Sequence, residues 1–156
     1  MVNRLNVDMY FNQLEAQRIG FYSGILIDAV ESGAVGSWAG VRNYEWKDQS
    51  CDLTNYIIAS AELVPDDPEY VKAPMQEMFR FGVDDSDNPI KEKRVAVDHT
   101  LVRKGLNKVL SGEVEASDWI IKACKEAKKE WDGSYMDAVC ANVVLQAAVF
   151  EENIYA

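Results

Sequence analysis

Apolar residues near the N-terminus recur with helical spacing. Within residues 8–32 they occupy positions i, i+3, i+4, i+7 and i+8: Tyr22, Ile25, Leu26, Ala29 and Val30. This spacing is typical of a helix with one buried face. Asp8 can cap its start, and Gly33 stands where a left-handed residue commonly ends a helix. The pattern therefore predicts a helix over residues 8–32.

The next segments are rich in aromatic and β-branched residues, which favour strands. Residues 36–47 and 55–64 are separated by polar residues that include Asp48 and Asp52. They predict an antiparallel hairpin with a longer loop. Residues 76–83 and 91–98 predict a third and a fourth strand, and the intervening "DDSDNP" reads as a turn.

Three helices are predicted in the C-terminal half. Asp98 or Thr100 can cap the first, which Gly112 ends, and Ser117 can cap the second. Ser134 followed by Asp137 resembles a capping box for the last helix. That last helix is apolar almost all round, so we expect it to form the centre of the core.

These elements predict one α+β domain over residues 1–156. It has an N-terminal helix, a three- to four-stranded antiparallel sheet and three C-terminal helices, the last one buried. A chain of this length buries roughly 68–70% of the surface that its unfolded form exposes, which is enough for a core without disulfides. The sequence contains no internal repeat and no low-complexity linker.

The charge balance adds a functional hypothesis. The chain carries 26 acids and 16 bases, for a net charge of −10. Acids concentrate in residues 62–90, and those at the C-terminus add to them. Such carboxylates could imitate DNA phosphates and occupy a basic groove of a partner protein, or simply keep the surface solvated. Direct nucleic-acid binding is not expected, since the negative field repels phosphates. The candidate partner-binding residues are Glu62, Asp66, Asp67, Glu69, Glu77, Asp84, Asp85 and Asp87.

Catalytic and cofactor motifs are not found in the sequence. One histidine, His99, and three widely spaced cysteines offer no zinc pattern, and neither nucleotide-phosphate loop occurs. We therefore predict a protein that is not an enzyme, with no catalytic residue, metal or cofactor. The odd cysteine count indicates a reducing compartment. A signal peptide and a membrane-length apolar run are not visible, so we expect a cytoplasmic protein without a membrane partner.

One strand carries an unusual row of aromatic residues. In an extended strand, Trp38, Arg42, Tyr44 and Trp46 would project to one face. We favour the interpretation that these rings pack against the helices. The alternative is a ligand site, in which the rings and Arg42 bind a small molecule or a nucleotide signal by stacking.

The C-terminal helix also carries a resemblance. In "DAVCANVVLQAAVFEENIYA" the matching positions are Leu145, Gln146, Phe150, Glu152 and Tyr155. The segment resembles the ending of a set of small, acidic, uncharacterised bacteriophage proteins, with Glu151 and Ala156 in place of two glycines. "GAVGSWAGVRNYEW" and "VDHTLVRKGLNKVL" are similar to earlier landmarks of that set. The resemblance implies phage origin and a shared fold, and it implies no activity.

Three functions are therefore considered. The leading one is a non-enzymatic phage accessory protein that binds and inhibits a host defence or nucleic-acid-processing protein through an acidic surface, in the host cytoplasm. The second is a small-molecule or nucleotide-signal binding protein. The third is a structural protein that self-associates into a homo-oligomer.

Overall fold

A four-stranded antiparallel sheet forms one layer of the molecule. The computed structural model describes residues 4–51 and 54–154, with side chains described for 12–50 and 54–154. The sheet is curled, and its strand order is β1-β2-β4-β3, which confirms the predicted antiparallel sheet. The strands are β1 (Ala39–Cys51), β2 (Thr54–Pro65), β3 (Gln76–Val83) and β4 (Pro89–Val97).

Four helices complete the predicted α+β architecture. One precedes the sheet and three follow it, as expected from the apolar spacing. The first helix begins at Arg4, four residues before the predicted start, and the side chain of Asp8 lies outside the described part of the chain. The helices are α1 (Arg4–Glu31), α2 (His99–Ser111), α3 (Asp118–Glu130) and α4 (Ala138–Phe150).

Local capping chemistry explains where these helices start and stop. The Asp98 carboxylate accepts the N–H of Leu101 at 3.0 Å, and Gly112 ends α2 with a φ of 83°. Both features were predicted. The capping box at Ser134 is wrong, because Ser134 belongs to a separate 3₁₀ turn. Asp137 itself caps α4 by accepting the N–H of Cys140 at 2.9 Å.

Ser117 occupies the predicted N-cap position of α3, but its side chain makes no capping hydrogen bond. The hydroxyl therefore does not supply the stabilisation that the sequence suggested, and α3 starts without a side-chain cap. Its other end is also unusual, because Trp131 adopts a left-handed conformation with a φ of 51°. Contact of the Trp131 ring with Phe21 and Tyr22 accompanies this conformation.

The core is centred on α4, as predicted. Ten of its thirteen residues are buried, and it packs against α1 and α2. The first helix lies on β2, where a Cβ placed at Gly20 would meet the Tyr56 Cβ at 3.6 Å. In the same contact the backbone N–H of Ala59 donates to the buried Ser23 hydroxyl at 3.1 Å. The helices therefore cover one face of the sheet over β1, β2 and β4 and leave the other face open, whereas β3 lies beyond them and is exposed.

The first hairpin is longer than the sequence indicated. Asp48 pairs with Ile57 and Ser50 with Asn55, so most of the predicted loop is strand. Pairing continues to Cys51 and Thr54, because the hydrogen bonds of the ladder join backbone groups, which polar residues also supply. Asp52, which was also assigned to the loop, lies outside the described residues.

Among the described helices, none has the length and apolar character needed to cross a membrane.

Two buried thiols make stability depend on alkaline pH. Burial raises the pKa of Cys124 to about 12 and that of Cys140 to about 11, so both stay protonated in the folded protein. In the unfolded chain they ionise near pH 8.5. Above this pH the folded state holds more protons than the unfolded state. The contribution of the two thiols to the free energy of unfolding is therefore fully present below pH 8.5 and is lost as the pH rises towards 11.

Urea unfolding at pH 7.5 and 9.5 checks this. The free energy of unfolding should fall by roughly 1.4 kcal/mol for each thiol, because an unfolded thiol at pH 9.5 is about 90% ionised. A variant with Cys124→Ala and Cys140→Ala is the matched control. Its free energy of unfolding should change much less between pH 7.5 and 9.5. An equal loss in wild type and control would contradict the assignment.

Candidate functional site

The end of the molecule where α4 terminates collects carboxylates from separate parts of the chain. The connection between β2 and β3 is attached there, since the N–H groups of Lys72 and Ala73 donate to the Val149 carbonyl at 2.9 and 3.1 Å. The same connection begins beside Trp38, whose ring lies 5.1 Å from that of Phe150 and whose carbonyl accepts the N–H of Asp66 at 2.9 Å. The loop acids are therefore held near the last turn of α4.

The segment after α2 reaches the same end. The Lys108 amine lies 3.2 Å from a Glu113 carboxylate oxygen and 3.5 Å from one of Glu151. Glu113, Glu115, Glu151 and Glu152 line a surface depression of about 320 Å³. We call the whole set the acidic end. It consists of Asp66, Asp67, Glu69, Glu113, Glu115, Glu151 and Glu152.

The acidic end has a strong negative field. Three bases lie in the same region as its seven acids: Lys72, Lys104 and Lys108. Lys104 lines a surface depression together with Lys108, Glu113 and Glu151. The hydrogen bond to Glu113, opposed by partial desolvation and aided by the charges of Glu151 and Glu113, holds the pKa of Lys108 above its ordinary value. Asp66, Glu69, Glu115 and Glu152 are exposed and face solvent, or a cationic partner.

The predicted acidic residues divide between this end and other places. Asp66, Asp67 and Glu69 belong to the acidic end. Glu77 instead lies 4.0 Å from Lys91 on the neighbouring strand. Glu62 is drawn into the sheet, where it accepts the Asn43 amide at 2.6 Å and lies 3.5 Å from an Arg94 nitrogen.

Three more of the predicted acids sit in the turn between β3 and β4. Asp84 is occupied there as an acceptor for the N–H groups of Ser86 and Asn88, and Asp85 and Asp87 are exposed beside it. β3 has eight residues, so this turn lies about 26 Å along the strand from Gln76, where β3 begins. The eight predicted residues therefore do not form one continuous surface, because spacing in sequence does not determine which acids meet in the fold.

The open face of the sheet holds a second polar feature, an ion-pair network around Glu92. Arg42 donates to one oxygen of this carboxylate at 3.0 Å and Arg94 to the other at 3.1 Å. The Glu92 side chain is 7% exposed. Burial alone would raise the pKa of Glu92, but the hydrogen bonds and charges of Arg42 and Arg94 hold it below its ordinary value. The network joins β1 to β4 across β2.

A groove of about 670 Å³ lies beside this network. Asn43 and Glu45 form one wall and Gln76 and Met78 the other, with Glu62 between them. A smaller hollow of about 210 Å³ shares Glu45 and reaches His99 at the start of α2. The curl of the sheet makes this face concave. Its lining is about equally polar and apolar, and Glu62 already has partners.

The predicted aromatic row does not share one face. Asn43 adopts a φ of 50°, and the pairing register of β1 shifts between Arg42 and Glu45. The predicted alternation is therefore wrong, because this bulge turns the strand between Arg42 and Tyr44. Arg42 bonds Glu92 on the open face, whereas the Tyr44 hydroxyl donates to Glu31 at the end of α1.

The two tryptophans of that row also have different environments. Trp38 precedes the strand, is fully buried and donates its indole N–H to Asn142 at 2.7 Å. Trp46 is 49% exposed. The interpretation of Trp38 as a packing residue agrees with these contacts, and the four residues do not form a common ligand platform.

Comparison of the chain with protein-family models, curated proteins and solved structures finds no match. The resemblance to phage proteins therefore stays a prediction. Two of its positions, Tyr155 and Ala156, lie outside the described residues. Glu151, which replaces one glycine of that pattern, adopts the left-handed φ of 58° that glycine favours. Among the described side chains, no three His, Cys, Asp or Glu residues are grouped as a metal site.

The sequence alone did not indicate some residues of the acidic end or of the ion-pair network around Glu92. Glu113 and Glu115 were not singled out, although "SGEVEASD" shows two alternating acids directly after a helix end. Glu92 and Arg94 alternate with Val95 and Val97 along a strand, which would have placed them together on the face away from the core. Their burial depends on Arg42, fifty residues away, and has no local signal.

Proposed function

We propose that this chain is a non-enzymatic accessory protein that binds a basic surface of a partner protein through its acidic end. The observation that supports the proposal is the convergence of seven carboxylates at one end of the fold. These acids are supplied by the β2–β3 connection, the segment after α2 and the C-terminus of α4. A basic groove would gain from all of them at once.

The partner class follows from the same chemistry. Carboxylates that are fixed on a rigid scaffold can occupy a groove built for nucleic-acid phosphates. Backbone bonds to Val149 hold the loop that follows Asp66, Asp67 and Glu69, and Lys108 lies 3.2 and 3.5 Å from Glu113 and Glu151. The partner is therefore a nucleic-acid-processing or defence protein whose site the chain blocks. The resemblance of the C-terminal segment to phage proteins supports a bacterial host as the source of that partner.

Affinity capture from a bacterial lysate tests the proposal. The wild-type chain should retain a protein that double-stranded DNA displaces and that elutes steeply with rising salt, because both effects follow from shared phosphate-binding groups. A variant with Glu113→Gln, Glu115→Gln, Glu151→Gln and Glu152→Gln should lose most of this retention.

The control variant changes the net charge equally elsewhere. It carries Asp85→Asn and Asp87→Asn in the β3–β4 turn together with Glu126→Gln and Glu130→Gln on α3, all exposed. It should retain the partner as the wild type does. Retention that survives neutralisation of the acidic end, or that neither salt nor DNA disturbs, would overturn the proposal.

A further inference from the structure

The β3–β4 hairpin exposes apolar side chains that no other described element covers. Seven of the eight residues of β3 are exposed. Phe81 is fully exposed, Phe79 is 64% exposed and Val83 is 55% exposed. Phe79 pairs with Lys91 of β4, and Phe81 lies two positions further on, at the start of the segment where the register with β4 shifts. Large aromatic residues grouped on a free surface indicate an interaction site rather than a solvated face.

This strand is also an edge. Within the described residues β3 pairs with β4 on one side, and no strand pairs with its other side. An edge strand presents a row of free backbone donors and acceptors, which another extended strand can satisfy. The partner that this site requires is therefore a strand that brings an apolar side chain to the same face as Phe79.

We infer that this partner is β3 of a second copy of the chain, paired antiparallel about a two-fold axis at Phe79. Such an axis stands perpendicular to the sheet, so the Phe79 rings of the two copies lie on the same face and pack against each other. This surface is separate from the acidic end, and the inference does not rest on the proposed function.

Charge excludes two of the possible pairing registers. An axis at Glu77 would oppose two carboxylates and an axis at Arg80 two guanidiniums, and like charges directly opposite are destabilising. An axis at Phe79 opposes Phe79 to itself and Met78 to Arg80, whereas an axis at Met78 would oppose Glu77 to Phe79. Only the axis at Phe79 brings the two Phe79 rings together, and this ring contact favours it. An axis at Phe81 would lie in the irregular part of the strand, since the register with β4 shifts between Arg80 and Val83.

The charges also disfavour a nucleic-acid occupant. Lys91 stands 5.7 Å from the Phe79 ring centre, but Asp84, Asp85 and Asp87 follow directly after β3 and would repel phosphates. The dependence on salt concentration distinguishes this dimer contact from partner binding at the acidic end. Two copies that each carry a charge of −10 repel one another, so dimerisation should strengthen as salt rises. Binding through the acidic end should weaken.

Sedimentation velocity of the full chain, from low to high micromolar concentration, tests the dimer. The wild type should shift from monomer to dimer. Phe79→Lys and Phe79→Glu should each sediment as a monomer, because each variant opposes two like charges at the axis. An equimolar mixture of the two variants should recover the dimer, since lysine then faces glutamate. The control Trp119→Lys, at a residue 52% exposed on α3, should dimerise as the wild type does.

Several results would overturn the inference. A wild type that stays monomeric at all concentrations excludes a second copy, and a wild-type monomer that shifts only with oligo-dT identifies nucleic acid as the occupant. Variants that still dimerise place the contact elsewhere. If the mixture stays monomeric while the circular dichroism shows that both variants are folded, the two-fold axis does not lie at Phe79.

Discussion

Replacing Gly105 with alanine should lower the free energy of unfolding by about 3 kcal/mol or more, at or beyond the upper end of the usual cost of overpacking. A Cβ at this position would lie 2.3 Å from the Val144 carbonyl oxygen and 2.9 Å from the Ala148 nitrogen. Both are backbone atoms of α4, so no side-chain rotation relieves the contact and α2 must move away from the core helix. Thermal unfolding should show a fall of roughly 6–12 °C for a chain of this size.

Gly24→Ala is the matched control. Gly24 lies inside α1, and no described atom outside its own local helix comes within 4 Å of the position that its Cβ would take. Alanine is favoured over glycine in a helix by about 1 kcal/mol, so this variant should be neutral or more stable than the wild type. Equal effects at Gly105 and Gly24 would mean that α2 and α4 do not approach as closely as described.

Glu92→Leu should destabilise the protein by about 3–5 kcal/mol, as expected when one member of a buried ion pair is removed. The Arg94 side chain is 9% exposed and would lose its nearest carboxylate, which leaves the Glu62 oxygen at 3.5 Å. Arg42 loses its partner too, but it is 32% exposed and can turn towards water. Urea unfolding at neutral pH measures the difference from wild type.

The double variant Glu92→Leu, Arg94→Met supplies the control, because removing both charges should cost less than removing Glu92 alone. Acid provides a second check. The pKa of Glu92 is lower in the folded protein than in the unfolded chain. The ionised carboxylate therefore contributes fully to the free energy of unfolding above its ordinary pKa of about 4.3, and this contribution is lost as the pH falls through the lower pKa of the folded state. The difference in the free energy of unfolding between wild type and Glu92→Leu should therefore become smaller in acid. A difference that stays the same in acid would contradict the ion-pair network around Glu92.

Much of the fold could be predicted because its signals are local. The uninterrupted apolar character of α4 requires burial on most sides, and Gly112 ends α2 through a backbone conformation that glycine adopts without strain. Asp98 caps α2 through a hydrogen bond three residues away. Each of these features depends on neighbours within one or two turns, which a single sequence displays.

The features that could not be predicted depend on distant partners. The bulge at Asn43 is accompanied by a hydrogen bond to Glu62, nineteen residues away, and it redirects the aromatic row. The acidic end joins the loop after β2 to the last turn of α4 through bonds to Val149. Charge counting along the chain could place Asp66 and Asp84 in one group, but only the fold shows that β3 separates them.

Amide hydrogen exchange of the complex with the captured partner tests the acidic end most directly. Binding should slow exchange in residues 66–73, 112–116 and 149–153, which surround the carboxylates, and should leave residues 76–94 of the β3–β4 hairpin unchanged. Protection that is confined to residues 76–94, with unchanged exchange around Glu113 and Glu151, would contradict binding through the acidic end.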